Sequence, residues 1–244
     1  MKTPASLAAA ALLLSLAAPL TTFTAQAAEP ALAAPGAPFR VPAVNPPAQA
    51  ATPWGERLNA PPELYTVTCS QGPTGTVATP TGPQRVMLTA SHCVNTVPGN
   101  PPIKNEFMAP VGTRYVRLGE RVASNYMKPE AMYLQDPMEA IRTADWGIVR
   151  LDDNVTATNL SQSRDWNGRS HGEPVRLTTI KDYRTLAPGE VSTDNFGEPI
   201  CKDGATSGRS CATQIGRTRN GVYSWNLGYQ HGDSGGVNFD PDRK

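Results

Sequence analysis

The sequence has no excess of charge of either sign. Its 244 residues include 22 Lys and Arg against 21 Asp and Glu, a formal net charge of +1. Surfaces that bind nucleic acids or anionic membranes carry a clear excess of cations, so this balance indicates neither partner. The chain also lacks an apolar stretch of the ~20 residues that a membrane-spanning helix needs. We therefore expect no nucleic-acid partner and no membrane span.

The longest apolar run is short and lies near the N-terminus. It covers residues 7–18, follows Lys2 and precedes the small-residue sequence Ala-Gln-Ala at residues 25–27. A basic start, a short apolar run and a small-residue site are typical of a cleaved signal peptide. We expect residues 1–27 to be this signal and the protein to be secreted.

Cysteine is scarce, with four residues in the whole chain. An even number in an exported protein favours disulfides, and four cysteines allow three different pairings. No pair has the Cys-x-x-Cys spacing of a structural zinc site. We predict two disulfides, no metal and no cofactor.

The segment from residue 28 to 62 is rich in proline and alanine. Between residues 29 and 62, 18 of 34 residues are one or the other. Proline fixes φ and removes a backbone donor, so this segment is expected to be extended and mobile and to build no core. It is predicted to be a pro-segment or a link to the cell surface.

Short runs of β-branched and apolar residues, separated by Gly, Pro and Asn, begin near Leu64. Such runs predict strands, and sustained helical periodicity is missing. The sequence therefore predicts an all-β protein in two halves, residues 63–160 and 161–244. The predicted strands cover residues 64–69, 85–89, 115–118 and 146–151 in the first half, and 174–177, 189–192, 212–216 and 221–225 in the second.

Residues 231–236 read His-Gly-Asp-Ser-Gly-Gly and form the most informative stretch. Glycines around Ser234 allow backbone N–H groups to converge where an oxyanion could form. A serine hydroxyl becomes a good nucleophile when an imidazole accepts its proton, and His92 lies upstream in Thr-Ala-Ser-His-Cys. Asp145, which opens an apolar run between the two, would orient the imidazole. The set predicts nucleophilic acyl transfer.

Each motif alone also has a plainer interpretation. Ser-Gly-Gly is often a flexible turn, a histidine beside a cysteine is often a core residue, and an aspartate before an apolar run often ends a turn. Gly232 and Gly236 also satisfy the Gly-x-Ser-x-Gly spacing of α/β-hydrolases. In those enzymes a histidine follows the serine, and here none follows Ser234.

In their order along the chain, the three motifs resemble those of the trypsin-like serine peptidases. The segment 201–211, bounded by two cysteines, resembles the bacterial streptogrisin type, and the resemblance runs from about residue 64 onward. It implies two antiparallel β-barrels with a catalytic cleft between them. In that cleft His92 would be the base, Asp145 the orienting acid and Ser234 the nucleophile. The amides of Gly232 and Ser234 would form the oxyanion hole.

The resemblance also implies two sets of contacts around the site. It selects disulfides between Cys69 and Cys93 and between Cys201 and Cys211. In streptogrisin-type relatives a basic residue after the first hairpin cysteine pairs with the acid before the nucleophile. Carried over, Lys202 would pair with Asp233 and hold the oxyanion loop in its active geometry.

Two departures from the family pattern modify these expectations. Gly228 stands six positions before Ser234, where trypsins carry an aspartate, so cleavage after Arg or Lys is not expected. Apolar or small residues are the predicted preference. Ten residues follow Ser234, where the family continues for roughly 40, so we expect an incomplete second barrel.

The sequence thus predicts a secreted, monomeric serine endopeptidase that acts on protein or peptide substrates through an acyl-enzyme intermediate. The alternative is a protease-like module that binds peptides without catalysis, or an inactive truncated form.

Overall fold

The computed structural model describes residues 30–45, 67–98, 100–112, 114–125, 143–165 and 167–242. The predicted signal peptide and residues 46–62 of the Pro/Ala segment lie outside these ranges. Within the described residues, strands dominate and one four-residue helix, α1 (Ser91–Val94), is present. None of these residues belongs to a helix with the length and apolarity needed to cross a bilayer.

The described residues of the first half of the chain contain nine strands. Seven of them form one sheet in the order β3-β2-β6-β7-β8-β5-β4, and all neighbours in it are antiparallel. The other two, β1 and β9, pair with each other in parallel. The strands are β1 (Leu32–Ala33), β2 (Pro38–Val41), β3 (Val67–Ser70), β4 (Thr74–Thr79), β5 (Gly82–Thr89), β6 (Phe107–Val111), β7 (Arg114–Ser124), β8 (Gly147–Leu151) and β9 (Thr156–Ala157).

The core of this half lies on one face of the seven-stranded sheet. Alternate side chains of a strand point to one face, and β8 shows this with Val149 and Leu151 buried. Phe39 and Phe107 meet edge to face with ring centroids 5.7 Å apart, and both are fully buried. An aromatic pair of this geometry contributes about 1 kcal/mol beyond the area that it buries.

The prediction that residues 28–62 build no core is wrong for the part that the structure describes. Phe39 and Val41 are both 0% exposed, and β2 lies between β3 and β6 inside the sheet. The two side chains are two positions apart, so a strand carries both to the core face. Pro38 is the first residue of β2, where a sheet tolerates proline. The high alanine and proline content of the segment made a short strand with alternating buried side chains difficult to predict.

Replacing Phe39 with leucine tests this assignment. We expect Phe39→Leu to lower the free energy of unfolding by about 1 to 2 kcal/mol, because part of a packed side chain is lost. Leu32→Ala, in the same segment but 41% exposed, should change it by less than about 0.5 kcal/mol. Urea unfolding of both variants is the measurement. Equal small effects would mean that the segment is not part of the cooperative core.

The second half forms a smaller antiparallel sheet in the order β10-β12-β11-β14, and a further strand, β13, also pairs with β12. Residues 174–177, predicted as a strand, contribute only an isolated bridge between Leu160 and Arg176. The all-β class is confirmed. Neither sheet closes on itself within the described residues. The strands are β10 (Val191–Ser192), β11 (Pro199–Gly204), β12 (Gly208–Thr218), β13 (Val222–Trp225) and β14 (Val237–Phe239).

Candidate active site

The short helix α1 carries His92 and is attached to two strands of the first sheet. It begins two residues after the last residue of β5, and Cys93 forms a disulfide with Cys69 on β3. Cys93 is fully buried, whereas the His92 side chain is 23% exposed. The disulfide therefore anchors the helix in the core and leaves the imidazole accessible.

Strand pairing places Asp145 beside His92. Thr89, the last residue of β5, pairs with Gly147, the first of β8, so the residues beyond these two strand ends become neighbours. Asp145 Oδ2 lies 2.7 Å from His92 Nδ1, although the two residues are 53 positions apart. The arrangement fixes the ring and leaves Nε2 as the nitrogen that could accept a proton.

The second oxygen of Asp145 accepts three further hydrogen bonds. The Ser91 amide donates from 2.7 Å, the Ser91 hydroxyl from 2.6 Å and the His92 amide from 3.2 Å. Burial alone raises the pKa of Asp145, but the hydrogen bonds from His92 and Ser91 and the electrostatic interaction with the His92 ring outweigh burial. The pKa therefore lies below the ordinary value of 3.8, and the group is a carboxylate at neutral pH.

Residues 230–236, here called the serine loop, lie against β3 and the end of β5, the strand that precedes the helix with His92. The Ser70 amide on β3 donates to the Ser234 carbonyl over 2.8 Å. Gly235 has a φ of +83°, and a Cβ there would overlap Thr89 Oγ1 and lie 3.0 Å from the Ala90 nitrogen. Only glycine permits this approach. Ser234 is thus held beside the end of β5, although no hydrogen bond joins its hydroxyl to the His92 ring among the described residues.

The backbone amides of Gly232 and Ser234 in the serine loop are free to receive an anion. Within the described part of the chain, neither Gly232 nor Ser234 donates its N–H to another group. The amide between them is occupied, because Asp233 donates to the Gln230 carbonyl over 3.0 Å. Two unengaged amides, one of the serine itself and one two residues before it, can stabilise a developing oxyanion.

Asp233 forms a buried ion pair with Lys202. The two groups are 2.6 Å apart, and their side chains are 4% and 7% exposed, respectively. Asp233 also accepts hydrogen bonds from the amides of Thr206 and Ser207, each over 2.9 Å, and from the Gln230 amide over 2.8 Å. The carboxylate therefore links the serine loop to the turn between β11 and β12.

The ionisation of Asp233 follows from these contacts. Burial raises its pKa, but the hydrogen bonds from Lys202 and Ser207 outweigh burial, so the pKa lies below 3.8.

The disulfide between Cys201 and Cys211 joins directly opposed residues of β11 and β12. Cys201 is the residue before Lys202. The disulfide ties together the hairpin from which the cation extends.

The sulfurs of Cys69 and Cys93 and a nitrogen of His92 lie within 4.8 Å of one another. The two sulfurs are bonded to each other, and a thiolate rather than a disulfide is the metal ligand of cysteine. This group is therefore not a metal site while the disulfide is intact.

Sequence reasoning missed two serines that the structure brings to the site. Ser91 bonds to Asp145 twice, and Ser70 bonds to the serine loop twice. Both are buried. The only signal in the sequence was adjacency, because Ser91 precedes His92 and Ser70 follows Cys69.

No family model matches the chain, and no curated protein does. Solved structures similar to it include bacterial chymotrypsin-like serine proteases. The Nocardiopsis protease is 19% identical, with 87% of this chain and 81% of that one covered and a TM-score of 0.44. Thermobifida fusca protease A is 18% identical, with 86% of this chain and 78% of that one covered and a TM-score of 0.41. Cellulomonas bogoriensis chymotrypsin is 17% identical, with 87% of this chain and 79% of that one covered and a TM-score of 0.44. With TM-scores below 0.5, the chemistry of this chain has to follow from its own residues.

Proposed function

We propose that this protein is a serine endopeptidase that hydrolyses peptide bonds through an acyl-enzyme intermediate. The observation that carries the proposal is the 2.7 Å contact between His92 Nδ1 and Asp145 Oδ2, made by a carboxylate whose other oxygen is fully engaged. Such a carboxylate selects the tautomer that has its proton on Nδ1 and a free lone pair on Nε2.

In the first step, Ser234 Oγ attacks the substrate carbonyl and His92 Nε2 accepts its proton. The negative charge moves to the carbonyl oxygen, where the amides of Gly232 and Ser234 receive it. The C–N bond then breaks, and His92 returns the proton to the leaving amine. Water, deprotonated by the same nitrogen, then attacks the acyl carbon. The bond to Ser234 Oγ breaks, His92 returns the proton to that oxygen, and the acid product leaves.

The proposal includes secretion. It is supported by the signal pattern at residues 1–27 and by the two disulfides, which persist in oxidising compartments. It also includes peptide substrates without a required basic residue, because Gly228 offers no carboxylate and its carbonyl already accepts a hydrogen bond from Ser210 Oγ over 2.5 Å.

A fluorophosphonate probe tests the proposal directly, because it reacts only with an activated serine. We expect one adduct on the folded protein by intact-mass analysis, none on Ser234→Ala, and labelling at least about 10³-fold slower on His92→Ala. Ser170→Ala removes an exposed serine hydroxyl elsewhere and should label normally. An unlabelled protein with both disulfides intact would contradict the enzyme and leave a peptide-binding module as the function of the fold.

A further inference from the structure

Ser70 is the point where the first sheet meets both the serine loop and the hairpin of the second sheet. It is the last residue of β3, it follows Cys69, and it is 0% exposed. A hydroxyl in such a position has no access to water, so its hydrogen bonds must come from the protein.

The hydroxyl of Ser70 is engaged in both directions. It donates to the Gly232 carbonyl over 2.7 Å and accepts from the Ala205 amide over 2.8 Å. The backbone of Ser70 is engaged as well, because its amide donates to the Ser234 carbonyl and its carbonyl accepts from Thr89 Oγ1 over 3.1 Å. Three groups of one small residue thus make four hydrogen bonds to three segments of the chain.

Two of these bonds act on the peptide planes that flank the proposed oxyanion hole. The Gly232 carbonyl precedes Asp233 and the Ser234 carbonyl precedes Gly235, so fixing both oxygens fixes ψ at Gly232 and at Ser234. Gly232 needs such a restraint because its φ of +99° belongs to a residue with wide conformational freedom. The direction of the Ser234 amide depends on the planes on either side of it.

The third bond links the same hydroxyl to the turn that holds Asp233. Ala205 lies next to Thr206 and Ser207, whose amides donate to Asp233 Oδ1. A displacement of Ser70 Oγ would therefore disturb the serine loop from two sides, through Gly232 directly and through the turn.

We propose that Ser70 is a positioning residue that holds the serine loop in the conformation in which the Gly232 and Ser234 amides converge. The role in catalysis rests on the proposed peptidase function, whereas the role in ordering the loop does not. Ser70→Ala would leave the Gly232 carbonyl and the Ala205 amide buried without their partner.

The test compares Ser70→Ala with Ser161→Ala. Ser161 is also 0% exposed and its hydroxyl also accepts a backbone amide, from Val175 over 3.2 Å, but it does not touch the serine loop. Amide hydrogen exchange, followed by mass spectrometry, should speed up about tenfold in residues 232–236 of Ser70→Ala and remain unchanged there in Ser161→Ala. Thermal unfolding with both disulfides intact establishes that the two variants are folded and similarly destabilised.

The second readout is the fluorophosphonate labelling rate and the hydrolysis of a small active ester. Ser70→Ala should lower the labelling rate and kcat about 10- to 100-fold, with KM changed by less than about threefold, because misplaced groups act on the transition state. Ser161→Ala should leave both rates unchanged. Equal loop exchange in the two variants, or equal rates, would overturn the role of Ser70.

The two readouts separate this proposal from the proposed function. If the unmodified protein does not label at all, the peptidase function fails, and hydrogen exchange alone decides whether Ser70 orders the loop. If the protein labels and Ser70→Ala labels at the same rate, the function stands and the positioning role is wrong.

Discussion

Asp145→Asn is expected to lower the acylation rate by about 10⁴-fold near neutral pH, the size of effect that loss of the correct histidine tautomer has in a serine protease. The three donors to Oδ1, two from Ser91 and one from His92, determine which way the amide turns. Its oxygen must face them, so its NH₂ group faces His92 Nδ1. The ring then accepts at Nδ1 and carries its proton on Nε2, where it cannot take one from Ser234.

The measurement is the second-order rate of fluorophosphonate labelling, with circular dichroism to verify the fold. Asp152→Asn is the matched control, because Asp152 belongs to the same half and pairs with Arg117 at the surface. It should label at the rate of the unmodified protein. If Asp145→Asn loses less than about tenfold, Asp145 does not orient the base and the assignment of the acid is wrong.

Lys202→Met is expected to lower the free energy of unfolding by about 3 to 5 kcal/mol at neutral pH, because it leaves the Asp233 carboxylate buried without its cation. It should also slow fluorophosphonate labelling, since Asp233 lies between the two amides of the proposed oxyanion hole. The comparison is Lys181→Met, which removes the partner of Glu198 from a pair whose side chains are 26% and 35% exposed. That change should cost about 1 kcal/mol or less.

The pH dependence distinguishes the ion pair from simple packing. The pKa of Asp233 is lower in the folded protein than its ordinary value of 3.8. The pair therefore stabilises the fold fully above about pH 4 and loses that contribution as pH falls through the lower folded-state pKa. Urea unfolding of both proteins from pH 7 to pH 3 should show the deficit of Lys202→Met shrinking as the pH falls, because a buried carboxylate without its cation takes up a proton more readily. A constant deficit would assign the effect of Lys202 to packing.

Local sequence patterns predicted the elements of the site better than their surroundings. The strand before His92 and the strand after Asp145 were visible as short apolar runs, and they are β5 and β8. Their pairing was not visible, because register depends on contacts between residues 58 or more positions apart. The resemblance named Asp145, and the register between Thr89 and Gly147 is the physical reason that it lies beside His92.

The composition of residues 28–62 led to the wrong prediction that this segment builds no core. Counting alanine and proline over 34 residues averaged away Phe39 and Val41, whose alternation is a strand signal only two side chains long. Such a strand is stable because β3 pairs with it on one side and β6 on the other. The sequence of the segment itself does not indicate which strands will pair with it. The roles of Ser70 and Ser91 were not predicted for a related reason, since a serine that becomes buried has no distinctive sequence pattern around it.

The assembly of this site from distant segments also determines when the proposed active site is complete in a newly made chain. The hydroxyl of Ser70 bonds to residues 135 and 162 positions further along, and contacts of such separation form late because loop closure must precede them. During synthesis the N-terminal half folds first. At that stage the chain has His92 and Asp145 but no Ser234 beside them. Under the proposed peptidase function, a nascent copy would therefore be inactive until both halves have folded.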